Sequence, residues 1–149
     1  MIDPQVEHGA GAFTATGAVW GFLTLLAIWD SNFRLAILYI VIAMLVDGFD
    51  GMLARWFHVS EYARGVDGGL MDNIIDYLNY VVVAALLLVR VPGLLPQYLV
   101  MASAISILLT SAYQFSQTDA KTDSSTYFYK GFPSVWNFLV VYMMLLRLD

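Results

Sequence analysis

The sequence contains no cysteine, and only seven of its 149 residues are lysine or arginine. Without cysteine, a disulfide scaffold and zinc held by thiolates are both excluded. Seven basic residues against twelve acidic ones leave a net charge of −5, so no basic patch exists and nucleic-acid binding has no electrostatic support. Charge of either sign is scarce, at 13% of residues, where an ordinary globular domain carries about 25%. That is too little polar surface to cover a water-exposed monomer. What the chain has instead is apolar mass: 60% of residues are hydrophobic and the mean hydropathy is +0.70. These values also exclude a disordered tail and a collagen-like repeat, and they favour a membrane-embedded helical protein.

Five apolar stretches follow one another. Gly9 to Trp29 is a run of twenty-one uncharged residues, enough for one membrane-spanning helix of about 20. It does not read as a cleavable export signal, because no Lys or Arg precedes it and Trp20, Phe22 and Trp29 are bulky. After the break Asp30-Ser31-Asn32, the run Leu35 to Val46 is long enough to span only if its helix continues through Asp47 and Asp50 to about Arg55. A third helix is expected from Asp67 to Val89, ended by Arg90-Val91-Pro92-Gly93. Pro96 opens a fourth, to about Phe115. A polar loop, Ser116 to Lys130, precedes a fifth, Phe132 to Leu146. With neither repeat nor linker, the expectation is one all-α domain over residues 1–149, a polytopic transmembrane bundle of about five spans. Arg55, Arg64, Lys121 and Lys130 fall on one side of the membrane and Arg34, Arg90 and Arg147 on the other. That slight excess leans the first side towards the cytoplasm.

The acids decide the chemistry. Asp47, Asp50, Gly51, Ala54 and Arg55 are spaced by three and four and share one helix face, as Gly68, Asp72 and Asp76 do on the next helix. One intramembrane Asp costs roughly 2.5–3.5 kcal/mol, so four deep, unpaired ones would cost about 10–14 kcal/mol. Arg55 and Arg64 neutralise at most two, and the remainder asks for a bound cation. Carboxylates without His or Cys are hard ligands suited to Mg²⁺ or Mn²⁺. Two such ions about 3.5–4 Å apart support phosphoryl displacement. Gly51, Gly68 and Ala54 keep the neighbouring surface low enough for a phosphate-bearing ligand to lie against the backbone.

The order Asp47-x2-Asp50-Gly51-x2-Ala54-Arg55, then twelve residues, then Gly68-x3-Asp72-x3-Asp76 resembles the signature of the CDP-alcohol phosphatidyltransferases, with all eight positions filled. The twelve-residue gap is longer than is usual in the broad family and is similar to that of its choline-using bacterial subgroup. Phe13-Thr14-Ala15-Thr16-Gly17, Asp76-Tyr77-Leu78-Asn79-Tyr80-Val81, Ser111-Ala112-Tyr113-Gln114-Phe115 and Lys130-Gly131-Phe132-Pro133-Ser134 with Trp136-Asn137 add to that likeness.

The resemblance implies that Asp47, Asp50, Asp72 and Asp76 hold two Mn²⁺ or Mg²⁺ ions that bind the diphosphate of CDP-diacylglycerol. It implies further that Asp76 is the catalytic base, that Gly51, Ala54 and Gly68 border the cytidine nucleotide, and that Arg55 orients the phosphates. The acceptor would be choline and the products phosphatidylcholine and CMP. Tyr77, Tyr80, Tyr113 and Trp136 are the expected choline pocket, because a trimethylated nitrogen is recognised by aromatic faces rather than by N–H donors. Tyr80, four residues after Asp76, would stack one turn along on the same face. The location implied is the bacterial inner membrane with the site facing the cytoplasm, in contact with the lipid bilayer and possible as a homodimer. The family core has six or more helices, so the chain is expected to be the amino-terminal part of a longer enzyme, which puts activity of the isolated chain in doubt.

Blander readings stand beside these. A serine, inositol or glycerol phosphate acceptor would share the eight motif positions, although a phosphate-bearing acceptor would want more basic residues than this chain offers. A carboxylate-lined cation pathway would string its acids along the membrane normal, whereas here they cluster on two helices. A noncatalytic membrane scaffold stays open. Asp67 serves equally as a helix cap or a ligand contact. His8 and His58 read as interfacial. Gly17-x3-Gly21 reads as close packing within the bundle rather than a dimer seam, and Asn79 as a hydrogen bond to a neighbouring helix. Trp20, Trp29, Trp56 and Tyr98 read as interfacial anchors.

Overall fold

A computed structural model describes residues 4–57, 62–63, 66–116 and 135–146, with side chains for 15–49, 69–116 and 135–146. Helices dominate. They are α1 (Pro4–Trp29), α2 (Phe33–Phe57), α3 (Gly68–Asp76), a π-helical segment Tyr77–Val82, α4 (Val83–Arg90), α5 (Gln97–Phe115) and α6 (Trp136–Leu146). A two-residue antiparallel pair, β1 (Tyr62–Ala63) and β2 (Val66–Asp67), sits between α2 and α3 with Tyr62 opposite Asp67. Because α3, the π segment and α4 run on as one rod, the described residues form five helical rods, as many as the expected spans. The stretches Gly69–Arg90 and Gln97–Phe115 are long and apolar enough to cross a membrane, and Ala15–Trp29 and Trp136–Leu146 are shorter apolar helices. At 1.5 Å per residue the 22 residues of the first stretch reach about 33 Å, matching a hydrocarbon core of about 30 Å.

Contacts group the chain into two compact units, Met1–Asn79 and Tyr80–Asp149. In the first, α1 packs against both α2 and α3. Small residues make that approach close: Ala27, Ala36 and Ala43 are buried with Ile28 and Ile40, and Trp20 meets Tyr39 at 5.8 Å between ring centroids. The α1–α2 corner is a Schellman turn. Ser31 N–H donates to the Ile28 carbonyl at 3.0 Å and Asn32 N–H to the Ala27 carbonyl at 2.8 Å. Asn32 then caps α2, its Oδ1 accepting from the Leu35 N–H at 3.3 Å. The turn places Ser31 at φ 58°, in the left-handed region that glycine enters without steric cost. Ser31→Gly is therefore expected to stabilise the unit by about 0.5–1 kcal/mol. A thermal unfolding midpoint that falls on this change would contradict the assignment of strain.

In the second unit α4 is central. Five of its eight residues, Val83, Ala84, Ala85, Leu87 and Leu88, are buried, as befits a helix covered on more than one side. It packs on both α5, which buries Val100, Ala104, Ile107 and Ser111, and α6, which buries Asn137, Val140 and Met144. The α4–α5 break falls where Pro92-Gly93 predicts it, with Gly93 at φ 77°. Large apolar side chains remain outside on every long helix: Phe22 and Leu26 on α1, Leu38 and Leu45 on α2, Met101, Ile105 and Leu109 on α5. A soluble monomer rarely exposes so much. A hydrocarbon surround accounts for it.

Several details differ from the sequence expectation: α1 already begins at Pro4 and α6 only at Trp136. Asp67 pairs with Tyr62 in the short ladder instead of opening the third helix, which begins at Gly68. The rod that follows is not one regular α-helix, because residues 77–82 widen into a π turn.

Candidate active site

Two helices supply the acids. α2 continues unbroken through Asp47 and Asp50, as the span length required, and α3 presents Asp72 and Asp76 one turn apart. Asp47, Asp72 and Asp76 each offer a carboxylate oxygen within 4.8 Å of the other two. Asp72 and Asp76 are half-buried. Two negative charges at that distance repel by about 3 kcal/mol at an effective dielectric near 20, a repulsion that a cation would relieve. A Mg²⁺ or Mn²⁺ ion held at about 2.1 Å spans roughly 4.2 Å between opposite ligand oxygens. Only two ligand oxygens can stand opposite each other, and neighbouring ones on an octahedral ion lie about 3 Å apart, so the three oxygens would have to draw together to share one. An all-carboxylate donor set fits a hard divalent ion and suits zinc poorly.

The backbone that aims α3 is set by α1. Gly17 and Gly21 present a bare strip to the face of the rod carrying Ile75 and Asn79. A Cβ at Gly17 would stand 2.9 Å from Ile75 Cγ2; at Gly21 it would be 3.0 Å from Leu78 Cδ2 and would collide with Asn79 Oδ1. The Gly17-x3-Gly21 motif therefore packs within the chain. Asn79 is 7% exposed, and its Nδ2 donates to the Gly17 carbonyl at 3.2 Å. That carbonyl only accepts, so it fixes which way the amide points. The other end of the amide, Oδ1, is buried without a partner among the described residues, which costs about 1–3 kcal/mol. Asn79 is the hydrogen-bonding residue expected from the sequence, but it carries an unsatisfied acceptor that the sequence does not reveal.

Other residues singled out in the sequence fall as follows. Asp50, Gly51, Ala54 and Arg55 continue α2 and Gly68 opens α3; their side chains lie outside the described residues, as do those of Asp67, His8 and His58. Tyr77 opens the π segment. The spacing that put Tyr80 on the face of Asp76 assumes 3.6 residues per turn, and across a π turn that spacing no longer fixes the face. Within the second unit Tyr80 stacks on Phe138, with centroids 6.4 Å apart. Tyr113 is 70% exposed. Trp136 donates its Nε1–H to Ser111 Oγ at 2.9 Å.

Trp136 also lines a cavity of about 720 Å³ in the second unit, with Leu88, Ile107, Val140 and a polar row on α5: Ser103, Ser106, Thr110 and Gln114. Sequence reasoning passed over this row. Its signal was the repeat of polar residues at three- and four-residue spacing inside an apolar span.

Comparison with known proteins places this geometry in a lineage. The family model of the CDP-alcohol phosphatidyltransferases matches residues 8–148. A phosphatidylcholine synthase of Legionella pneumophila is 44% identical over 88% of this chain and 51% of its own length. That of Borreliella burgdorferi is 39% identical over 92% of this chain and 57% of its own. That of Pseudomonas aeruginosa is 37% identical over 99% of this chain and 60% of its own. The chain thus spans between half and three fifths of the length of these curated relatives. No solved structure matches it.

Proposed function

This chain belongs to the CDP-alcohol phosphatidyltransferase family, and from that premise we propose that it carries the catalytic half of a phosphatidylcholine synthase. The reaction transfers the phosphatidyl group of CDP-diacylglycerol to choline, releasing CMP. The observation that carries this reading is the convergence of Asp47, Asp72 and Asp76 in a chain whose curated relatives are named for that reaction.

Asp47, Asp50, Asp72 and Asp76 would hold the divalent ions, Mn²⁺ or Mg²⁺. Ions held by these residues would supply positive charge against the diphosphate and the departing CMP. Asp76 accepts the proton of the choline hydroxyl. The oxygen so released attacks the phosphorus bonded to diacylglycerol, and the bond from that phosphorus to the CMP oxygen breaks. Gly51, Ala54 and Gly68 leave the nucleotide room, and Arg55 orients the phosphates. Tyr77, Tyr80, Tyr113 and Trp136 supply candidate faces for the trimethylammonium group, each well-placed ring contributing about 0.5–2 kcal/mol. The family match runs across both compact units, which supports treating them as one domain. We place it in a bacterial cytoplasmic membrane with the acids on the cytoplasmic side.

The test is direct. The chain, alone and extended to the length of its relatives, is placed in vesicles containing CDP-diacylglycerol, radiolabelled choline and Mn²⁺. Label is expected in lipid, and EDTA should remove it until Mn²⁺ or Mg²⁺ is returned. Transfer that survives chelation would refute the metal reading. Incorporation of serine, inositol or glycerol phosphate in place of choline would refute the acceptor.

A further inference from the structure

The segment that follows Asp76 departs from α-helical geometry at once: Tyr77–Val82 is a π turn. Such turns are rare, and they persist where outside contacts hold them. Asn79, midway along the segment, reaches across to α1. Its amide donates to the Gly17 carbonyl, and its Oδ1 faces the bare backbone at Gly21. Ile75, one residue before Asp76, grips the same strip of α1. Asp76 is thereby bracketed by two contacts to one helix, while α2, which carries Asp47, is packed on that same helix. The asparagine is a poor choice for stability alone, because half of its amide is buried without a partner among the described residues. A leucine would occupy similar space without that penalty.

We infer that Asn79 is a positioning residue for the aspartate site: its hydrogen bond to Gly17 pins the π turn and so fixes where Asp76 stands relative to Asp47. The inference rests on the proposed role of these aspartates, but it concerns how the fold aims them. A residue present only for packing would lower stability when replaced and leave the ion site of the folded molecules as it was. A positioning residue does the reverse.

Asn79→Leu and the smaller Asn79→Ala are compared with the parent chain in lipid nanodiscs, using Mn²⁺ alone as the probe. The thermal midpoint in EDTA is expected to stay level or rise in Asn79→Leu. Amide hydrogen exchange in EDTA should quicken at least ten-fold over Asp72–Val82. Mn²⁺ affinity, read by electron paramagnetic resonance, should fall at least ten-fold in both variants, with a changed spectrum for the bound ion. Affinity within two-fold of the parent and an unchanged spectrum would overturn the inference, whatever the midpoint does. If one variant does not fold, the other decides by the same readings. If the parent itself binds no Mn²⁺, the metal reading falls separately. The exchange rates then decide, and unchanged protection of Asp72–Val82 overturns the positioning role.

Discussion

Asp76→Asn is expected to lower choline transfer by about 10³-fold or more, the upper part of the range for losing a positioned base, while CDP-diacylglycerol binding falls far less. Asparagine keeps the shape and one oxygen for an ion, but its amide cannot accept the choline proton. Asp47→Asn should behave differently. Asp47 converges with Asp72 and Asp76 but has no proposed proton to take, so its loss should weaken ion and nucleotide binding together. The two variants are separated by measuring nucleotide affinity beside turnover, in the form of the protein that shows transfer. Equal turnover in Asp76→Asn and the parent would remove the base from the mechanism.

The second large effect is on folding. Gly21→Val should be strongly destabilising, because even its first side-chain atom would collide with Asn79 Oδ1 and crowd Leu78. Overpacking of this kind costs about 1–3 kcal/mol or more. Gly21→Ala should show the smaller end of that range. The two residues should also couple: in an Asn79→Ala background the colliding atom is gone, and Gly21→Ala should cost clearly less, with only the crowding of Leu78 left. A double-mutant cycle on thermal midpoints reads this directly, and contacting pairs commonly show coupling of about 0.5–3 kcal/mol. Strictly additive midpoints would mean that the strip does not pack as the structure has it.

Much of this was legible because the acids sit at spacings that only a helix turns into one face. The span ending at Val46 is too short by itself, so α2 had to run through Asp47 and Asp50, and it does. Pro92 and Gly93 marked the α4–α5 break by their backbone chemistry, and Gly17-x3-Gly21 marked a close helix contact. The π turn was not legible. Tyr77 to Val82 contains neither glycine nor proline, and the contact that holds the turn comes from Gly17, 62 residues earlier. Periodicity counts residues along one helix and is blind to such a partner, so it carried Tyr80 onto the face of Asp76 as though the helix were regular. The α1–α2 corner shows the same limit on a smaller scale. The break was plain in Asp30-Ser31-Asn32, but asparagine is the commoner left-handed residue, and the structure instead gives that place to Ser31 and uses Asn32 as the cap.

The 62-residue reach from Asn79 back to Gly17 also sets a timetable for biosynthesis. The hairpin of α1 and α2 joins neighbours in sequence and can form as soon as both are in the bilayer. At synthesis rates of about 5–20 residues per second, the amide that docks on Gly17 is made roughly 3–12 s after it. Until then Asp47 has been inserted without Asp72 and Asp76. The nascent chain therefore passes through an interval in which Asp47 stands in the membrane without the two carboxylates it later meets. Insertion of the third rod is the step that ends it.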